Sequence, residues 1–270
     1  MSRHQPTPAM GVLGLSSSAL PFELTRHAPE PALSHLVLHY WVVSWNLHEG
    51  QTFDQDVVPN PCVNLVIEQE RSGIYGPASS KYTKQLYGRG LVFGVKFKPG
   101  GFYPFWREPV AALADRVLTL AEVFGADSAE GYAAAMVDTE ETSARIRLTD
   151  KLLLAALPPA DPDALMIQRV VAQIREDRSM TRVEQLCQPF GMNIRKLQRM
   201  FHRYVGISPK WVIKLYRLQD AAERLEEGAC QDWKALALEL GYYDQAHFIN
   251  DFKAVVGWTP DVYSSRFHQQ

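Results

Sequence analysis

Cysteine is scarce in this chain: Cys62, Cys187 and Cys230 are the whole complement in 270 residues. They are scattered and odd in number, with no Cys-x-x-Cys pair. Neither a zinc ribbon nor a disulfide framework is expected, and a reducing, cytoplasmic compartment is the simplest reading. The eight histidines include no His-x-His, so a cupin-type metal centre is not expected either. No run of about 20 apolar residues occurs, so no membrane span is expected. Gly100-Gly101 lacks a following Gly-x-x-x-x-Gly-Lys and reads as a turn, not a phosphate loop. An excess of charge is also missing. The net charge of -2 argues against wholesale coating of nucleic acid.

What is present is apolar bulk. Hydrophobic residues make up 46% and charged residues 21%, the balance of a globular protein with room for one large or two ordinary domains. The charge is uneven. Residues 1–160 carry 13 Lys+Arg against 16 Asp+Glu, and residues 161–270 carry 15 against 14. Between Gln185 and Gln219 seven cations stand without one acid (Arg195, Lys196, Arg199, Arg203, Lys210, Lys214, Arg217). Phosphate binding responds to such local density more than to the average.

The pattern of elements changes along the chain. Residues 1–20 read as a loose leader and a poor signal peptide. Four stretches between 33 and 98 read as strands: Leu36 to Trp45, Thr52 to Val58, Cys62 to Ile67 and Leu91 to Phe97. Lys81 to Tyr87 is a fifth candidate, and the set suggests a small antiparallel barrel or sandwich. Pro109 to Phe124 and Ser128 to Leu157 have helical spacing. Leu157-Pro-Pro-Ala-Asp-Pro162 stops any helix, which places a boundary near residue 160. The expected division is a leader at 1–20, a β-rich sensor or dimerisation domain with trailing helices at 21–158, and an all-α domain at 159–270. The fold class is thus α+β.

Two segments of the second half share one grammar. Gly191-Met-Asn193-Ile-Arg-Lys-Leu-Gln-Arg-Met-Phe201 leads to Gly206-Ile-Ser-Pro209. Gly241-Tyr-Tyr-Asp-Gln-Ala-His-Phe-Ile-Asn-Asp-Phe252-Lys253 leads to Gly257-Trp-Thr-Pro260. A glycine turn followed by a helix with one core face and one polar face is what a helix-turn-helix requires. Leu197 with Phe201, and Phe248 with Phe252, are spaced i, i+4 and face inward. Arg195, Gln198 and Arg199 then face outward, where Arg pairs with guanine and Gln with adenine. Lys196 and Arg203 suit phosphates, as do Lys210, Lys214 and Lys253. In the second helix Gln245, Ala246 and Asn250 face outward, among four acids and two cations from Asp232 to Lys253. A helix from Pro209 to about Leu225 separates the two units as a rigid spacer. Thr181 with Glu184, Asn193, Ser208 and Asp232 are expected helix caps.

On these motifs, with Tyr263 after Pro260, residues from about 165 to 267 resemble the DNA-binding domain of AraC/XylS-type bacterial transcription regulators. The resemblance implies two tandem helix-turn-helix units and assigns base reading to Arg195, Gln198, Arg199, Gln245, Ala246 and Asn250. It implies double-stranded promoter DNA and RNA polymerase as partners, with a small-molecule effector or a second copy of the chain as further ones. It implies no catalytic residue, metal or cofactor. Trp258 departs from the family pattern, replacing a smaller residue, as do Cys187, Pro189, Ala246 and Asn250. The first half resembles, through Val58-Pro-Asn-Pro-Cys-Val-Asn-Leu-Val, Phe93-Gly-Val-Lys-Phe-Lys-Pro-Gly-Gly101, Leu113-x-Asp115-Arg116 and Val123-Phe-Gly125, an uncharacterised β-rich sensor-like domain found in many such regulators.

Within that half Trp41, Trp45, Phe97 and Tyr103 are candidates for an effector pocket, though core packing explains aromatics as well. Cys62 reads as buried filler and His247 as structural. Two other functions stay open: an enzyme fused to a DNA reader, as a metal-dependent oxygenase or thiol methyl acceptor, and an effector-free dimerisation module.

Overall fold

The computed structural model describes residues 20–268, apart from 69–70, 178 and 229–231. The leader expected at 1–20 lies outside these except for its last residue, and Cys230 lies outside as well.

Among the described residues the strands are β1 (Phe22–His27), β2 (Val37–Asn46), β3 (Thr52–Val57), β4 (Asn64–Ile67), β5 (Gly73–Tyr75), β6 (Tyr82–Tyr87), β7 (Arg89–Phe97) and β8 (Val117–Leu118). A six-stranded sheet has the order β1-β2-β7-β4-β5-β8, and β3 pairs with β6 as a separate two-stranded ribbon. Every pairing is antiparallel. The central strand β7 is buried from Val92 to Phe97, with Lys96 buried among its apolar residues. Its two glycines make room for tryptophan. A Cβ at Gly94 would lie 2.0 Å from the Trp41 ring, and one at Gly90 would lie 2.1 Å from Trp45.

The helices are α1 (Tyr103–Trp106), α2 (Leu120–Phe124), α3 (Ala126–Val137), α4 (Thr142–Ala155), α5 (Pro162–Glu176), α6 (Glu184–Cys187), α7 (Ile194–Met200), α8 (Pro209–Glu226), α9 (Trp233–Glu239), α10 (Gln245–Val256) and α11 (Pro260–His268). The helix expected over Pro109 to Phe124 does not form. The chain makes a 3₁₀ turn at Val110–Leu113, passes through the left-handed Asp115 (φ 55°), adds β8 beside β5, and only then starts α2. Thr119 and Glu122 close a capping box at that start. Ser128 to Leu157 likewise divides into α3 and α4. Thr149 on α4 is buried, within 2.8 Å of the Tyr132 hydroxyl on α3. The Asp150 carboxylate accepts the Tyr40 hydroxyl proton at 2.6 Å, which ties α4 to β2.

The linker expected near residue 160 is the loop between α4 and α5, but the buried side chains do not divide there. One apolar cluster runs from Leu33 through Phe97 and Val110 to Ile167, Leu197, Phe201 and Ile213. A second begins at Leu215 and collects Leu218, Leu236, Phe248, Phe252 and Tyr263. The change from one core to the other therefore falls inside α8. Among the described residues no helix is long and apolar enough to cross a membrane.

Candidate nucleic-acid interface and junction cavity

The first helix-turn-helix unit is α6, the turn at Gly191 (φ 60°) and α7. Asn193 caps α7 as expected, accepting the Lys196 N–H at 2.8 Å. The cap expected ahead of α6 is different: the Gln185 side-chain oxygen accepts the N–H groups of Thr181 (2.9 Å) and Arg182 (2.8 Å). Leu186, Leu197 and Phe201 are fully buried. Their burial leaves Arg195, Lys196, Gln198 and Arg199 exposed on the outer side of α7.

Past Met200 the helix widens into a π turn at Phe201–Val205, which ends at the left-handed Gly206 (φ 87°). This turn docks on the β-rich half. Arg203 donates through Nε and Nη2 to the Tyr103 hydroxyl, and its guanidinium lies 4.7 Å from the centre of the Tyr103 ring. That hydrogen bond is the main cause raising the Arg203 pKa above its ordinary value. The Tyr204 ring lies 4.5 Å from that of Tyr103, tilted by 58°. A Cβ on Gly206 would lie 2.8 Å from the Val110 carbonyl oxygen, so only glycine fits.

The second unit is α9, Gly241 (φ 74°) and α10. Asp232 caps α9, and Asp244 caps α10 by accepting the Ala246 N–H at 2.9 Å. Phe248 and Phe252 are fully buried, and Gln245, Ala246, Asn250 and Lys253 are exposed. Asp251 anchors this helix to α8. Its carboxylate takes Lys214 Nζ at 3.0 Å and the Tyr242 hydroxyl at 3.1 Å, with His247 Nε2 at 3.4 Å. His247 is thus an exposed partner of Asp251 and not a core side chain.

Between the units Ser208 caps α8, accepting the Trp211 N–H at 3.2 Å. The run of seven cations does not form one stripe. Arg195, Lys196, Arg199, Arg203 and Lys210 are exposed, Lys214 is held by Asp251, and Arg217 lies half-buried 4.7 Å over the Tyr242 ring. Burial lowers the Arg217 pKa. Of the cations expected to face phosphates, Arg203 and Lys214 are engaged with protein groups.

The four aromatic effector candidates do not share a pocket. Phe97 and Tyr103 belong to the buried core, and Trp41 and Trp45 cover Gly94 and Gly90 on the sheet. A cavity lies elsewhere, between the sheet and helices α5 and α8, with a volume of about 1090 Å³. Cys62 and Lys96 line it from the β-rich half, Ile174 and Arg175 from α5, and Tyr216 and Arg217 from α8. Lys96 is 5% exposed, and burial lowers its pKa against an opposing influence of Cys62. Burial raises the Cys62 thiol. Sequence reading passed over Lys96, because a lysine in a strand carries no pattern that announces burial. Among the described residues no cluster of three His, Cys, Asp or Glu side chains could hold a metal ion.

Residues 186–266 match the family described as a helix-turn-helix domain, and residues 25–119 match a domain of unknown function, DUF6597. An uncharacterized HTH-type transcriptional regulator of Haemophilus influenzae is 32% identical over 94 residues, which is 35% of this chain and 31% of that protein. The chain therefore spans about a third of that relative's length. Among solved structures, ToxT from Vibrio cholerae O395 is 12% identical with a TM-score of 0.38, covering 93% of this chain and 99% of that one. Unsaturated fatty acid-bound ToxT from Vibrio cholerae strain SCE256 is 12% identical with a TM-score of 0.37, covering 92% and 96%.

Proposed function

We infer that this chain, a helix-turn-helix transcription regulator of AraC/XylS-like build, reads two successive major-groove segments of duplex DNA and answers to a small molecule held where its halves meet. The observation that carries the first part is the shared construction of α7 and α10. Each follows a left-handed glycine, is capped at its N-terminus by a side chain, buries an i, i+4 apolar pair and leaves polar residues outward. Arg195, Gln198 and Arg199 are the base readers proposed for the first segment. Gln245, Ala246 and Asn250 are those for the second. Lys196, Lys210 and Lys253 are the proposed phosphate contacts. α8 spans roughly 27 Å along its axis, which suits readers about one DNA turn apart, ~34 Å. At a promoter, RNA polymerase is the proposed partner. The mass of the chain on its operator, by light scattering, tells one copy from two.

The test is selection from a random duplex library with the full chain. A bipartite motif with centres about 10 bp apart is expected. No enrichment, or one short motif alone, would overturn the reading.

The effector is proposed to occupy the junction cavity, whose volume suits a small organic ligand. Glu176, Asp177, Asp220 and Glu223 line the cavity as well, so the proposed ligand turns an anionic group toward Lys96, Arg175 and Arg217 and an apolar body toward the rest. Thermal shift of the full chain against small carboxylic acids and their amides tests it. Acids stabilising the wild type but not Lys96→Met support the site. No shift with any acid, or equal shifts with the amides, refutes it.

A further inference from the structure

The β3–β6 ribbon and the segment that leads from β3 to β4 reach across to the end of α10 and to α8. The Asp56 carboxylate takes Lys81 Nζ at 2.8 Å and the Thr83 hydroxyl at 2.8 Å. The Trp258 side chain, next in the chain to Gly257, adds to the hold on the charged carboxylate. Burial opposes ionisation of Asp56, yet these hydrogen bonds outweigh it and hold the carboxyl below its ordinary value. Lys81 in turn covers Gly257: a Cβ there would lie 2.7 Å from its Cδ and Cε, at the left-handed residue (φ 95°) that ends α10. Three residues beyond Asp56, the Pro59 carbonyl accepts the Gln219 side-chain N–H at 3.2 Å on α8.

These contacts matter because of where the cores divide. The first reader, α7, shares its apolar cluster with the β-rich half, whereas α10 belongs to a cluster of its own. α8 crosses between the clusters at Ile213 and Leu215, and beyond that point the junction cavity lies beside it. Over its second half α8 buries Leu218, Ala221, Ala222 and Leu225 in the second cluster, while the cavity borders the side formed by Tyr216, Gln219 and Glu223. Contacts at the far side of the second unit then add to α8 in setting the distance between α7 and α10.

We propose that Asp56, Lys81 and Trp258 form a clasp that fixes the second reader relative to the first, so that the β-rich half sets the spacing between the two DNA segments. Asp56 and Trp258 act as positioning residues, through α10, and touch no base. This rests on the bipartite DNA reading above. Trp258, one of the departures from the family pattern, acquires a role: a small apolar residue at that position has no side-chain N–H to offer Asp56.

Two substitutions test the clasp in the full chain. Trp258→Phe keeps an aromatic ring beside Arg266, which lies 4.4 Å from the Trp258 ring, and removes only the N–H. Asp56→Ala removes the acceptor. Random-duplex selection is run with wild type and both variants, alongside hydrogen exchange of residues 253–260. The wild type is expected to enrich one spacing. The variants are expected to enrich the same two half-site sequences, with sites displaced by one base pair rising at least about threefold. Exchange at 253–260 should quicken while α7 stays protected. An unchanged spacing distribution overturns the clasp, as does loss of the second half-site sequence itself, which would make these residues part of the reader's fold. Failure of the wild type to enrich any bipartite motif overturns the DNA reading instead, and the exchange result then still reports whether Asp56 restrains the Gly257 loop.

Discussion

Asp251 offers the sharpest quantitative test of how α10, the proposed second reader, is held. Replacing it by alanine removes the acceptor of Lys214 at 3.0 Å and of the Tyr242 hydroxyl at 3.1 Å. The carboxylate side chain is 15% exposed and that of Lys214 is 36% exposed, so the ion pair is screened. Such a pair contributes about 1 kcal/mol. A buried tyrosine hydroxyl bonded to a charged acceptor adds about 1.5–3 kcal/mol. Tyr242 is itself 6% exposed, and left unpaired its hydroxyl carries most of the penalty. The expected loss is therefore about 2.5–4 kcal/mol, concentrated in the cluster built on α9 to α11. Urea unfolding of wild type, Asp251→Ala, Lys214→Met and the double variant closes a thermodynamic cycle. A coupling near 1 kcal/mol between the two positions is expected, with Asp251→Ala the more costly single change. Lys214→Met should leave the salt dependence of DNA binding unaltered, because its ammonium serves Asp251. A coupling below about 0.3 kcal/mol, or a salt slope reduced by about one, would refute this reasoning and return Lys214 to the phosphate contacts.

Further outcomes follow from other parts of the molecule. Arg195→Ala and Arg199→Ala should each lose about 1–3 kcal/mol of discrimination at one base position with an unchanged melting temperature. Library selection with each variant checks this, and an identical motif would exclude base contact. Gly206→Ala forces a Cβ to within 2.8 Å of the Val110 carbonyl at φ 87°. It should destabilise by more than about 1 kcal/mol, measured by chemical denaturation, where a neutral effect contradicts the docking of the π turn. His39 is pushed to about 3 by burial, with Lys96 and Arg26 adding to it, so the folded chain keeps it neutral while the unfolded chain takes a proton near pH 6.5. Its contribution is complete above that pH and declines as pH falls from about 6.5 toward 3. About 1 kcal/mol should go between pH 6.5 and 5.5. His39→Gln should flatten that slope in urea titrations, and equal slopes would dismiss the assignment.

The parts of this fold that could be read from sequence are those written in local signals. Asn193, Ser208, Asp232 and Gly241 each act within four residues of themselves, and the buried pairs Leu197–Phe201 and Phe248–Phe252 repeat one helical turn. β5 and β8 were not legible, because three and two residues carry too little alternation to stand out. Nor was the fate of the cations. Lys214 meets an acid 37 positions away, and Arg203 meets a tyrosine 100 positions away. A run of like charges in sequence says nothing about which members fold back. The aromatic effector candidates failed to converge for a related reason: each tryptophan in β2 fills the space left by a glycine directly across on β7. Trp258 was visible as an anomaly, but its partner Asp56 stands on a strand near the other end of the chain.

Arg217 lines the junction cavity and also lies over Tyr242, the residue that steadies α10 through Asp251. One guanidinium thus borders both the proposed effector site and the support of the proposed second reader. Whatever an anion in the cavity does to the strength of DNA binding, DNA must do to the strength of anion binding, by the same factor. Operator DNA should consequently act as an effector of its own effector, and the ligand's dissociation constant measured without DNA would misstate its affinity for the promoter-bound protein.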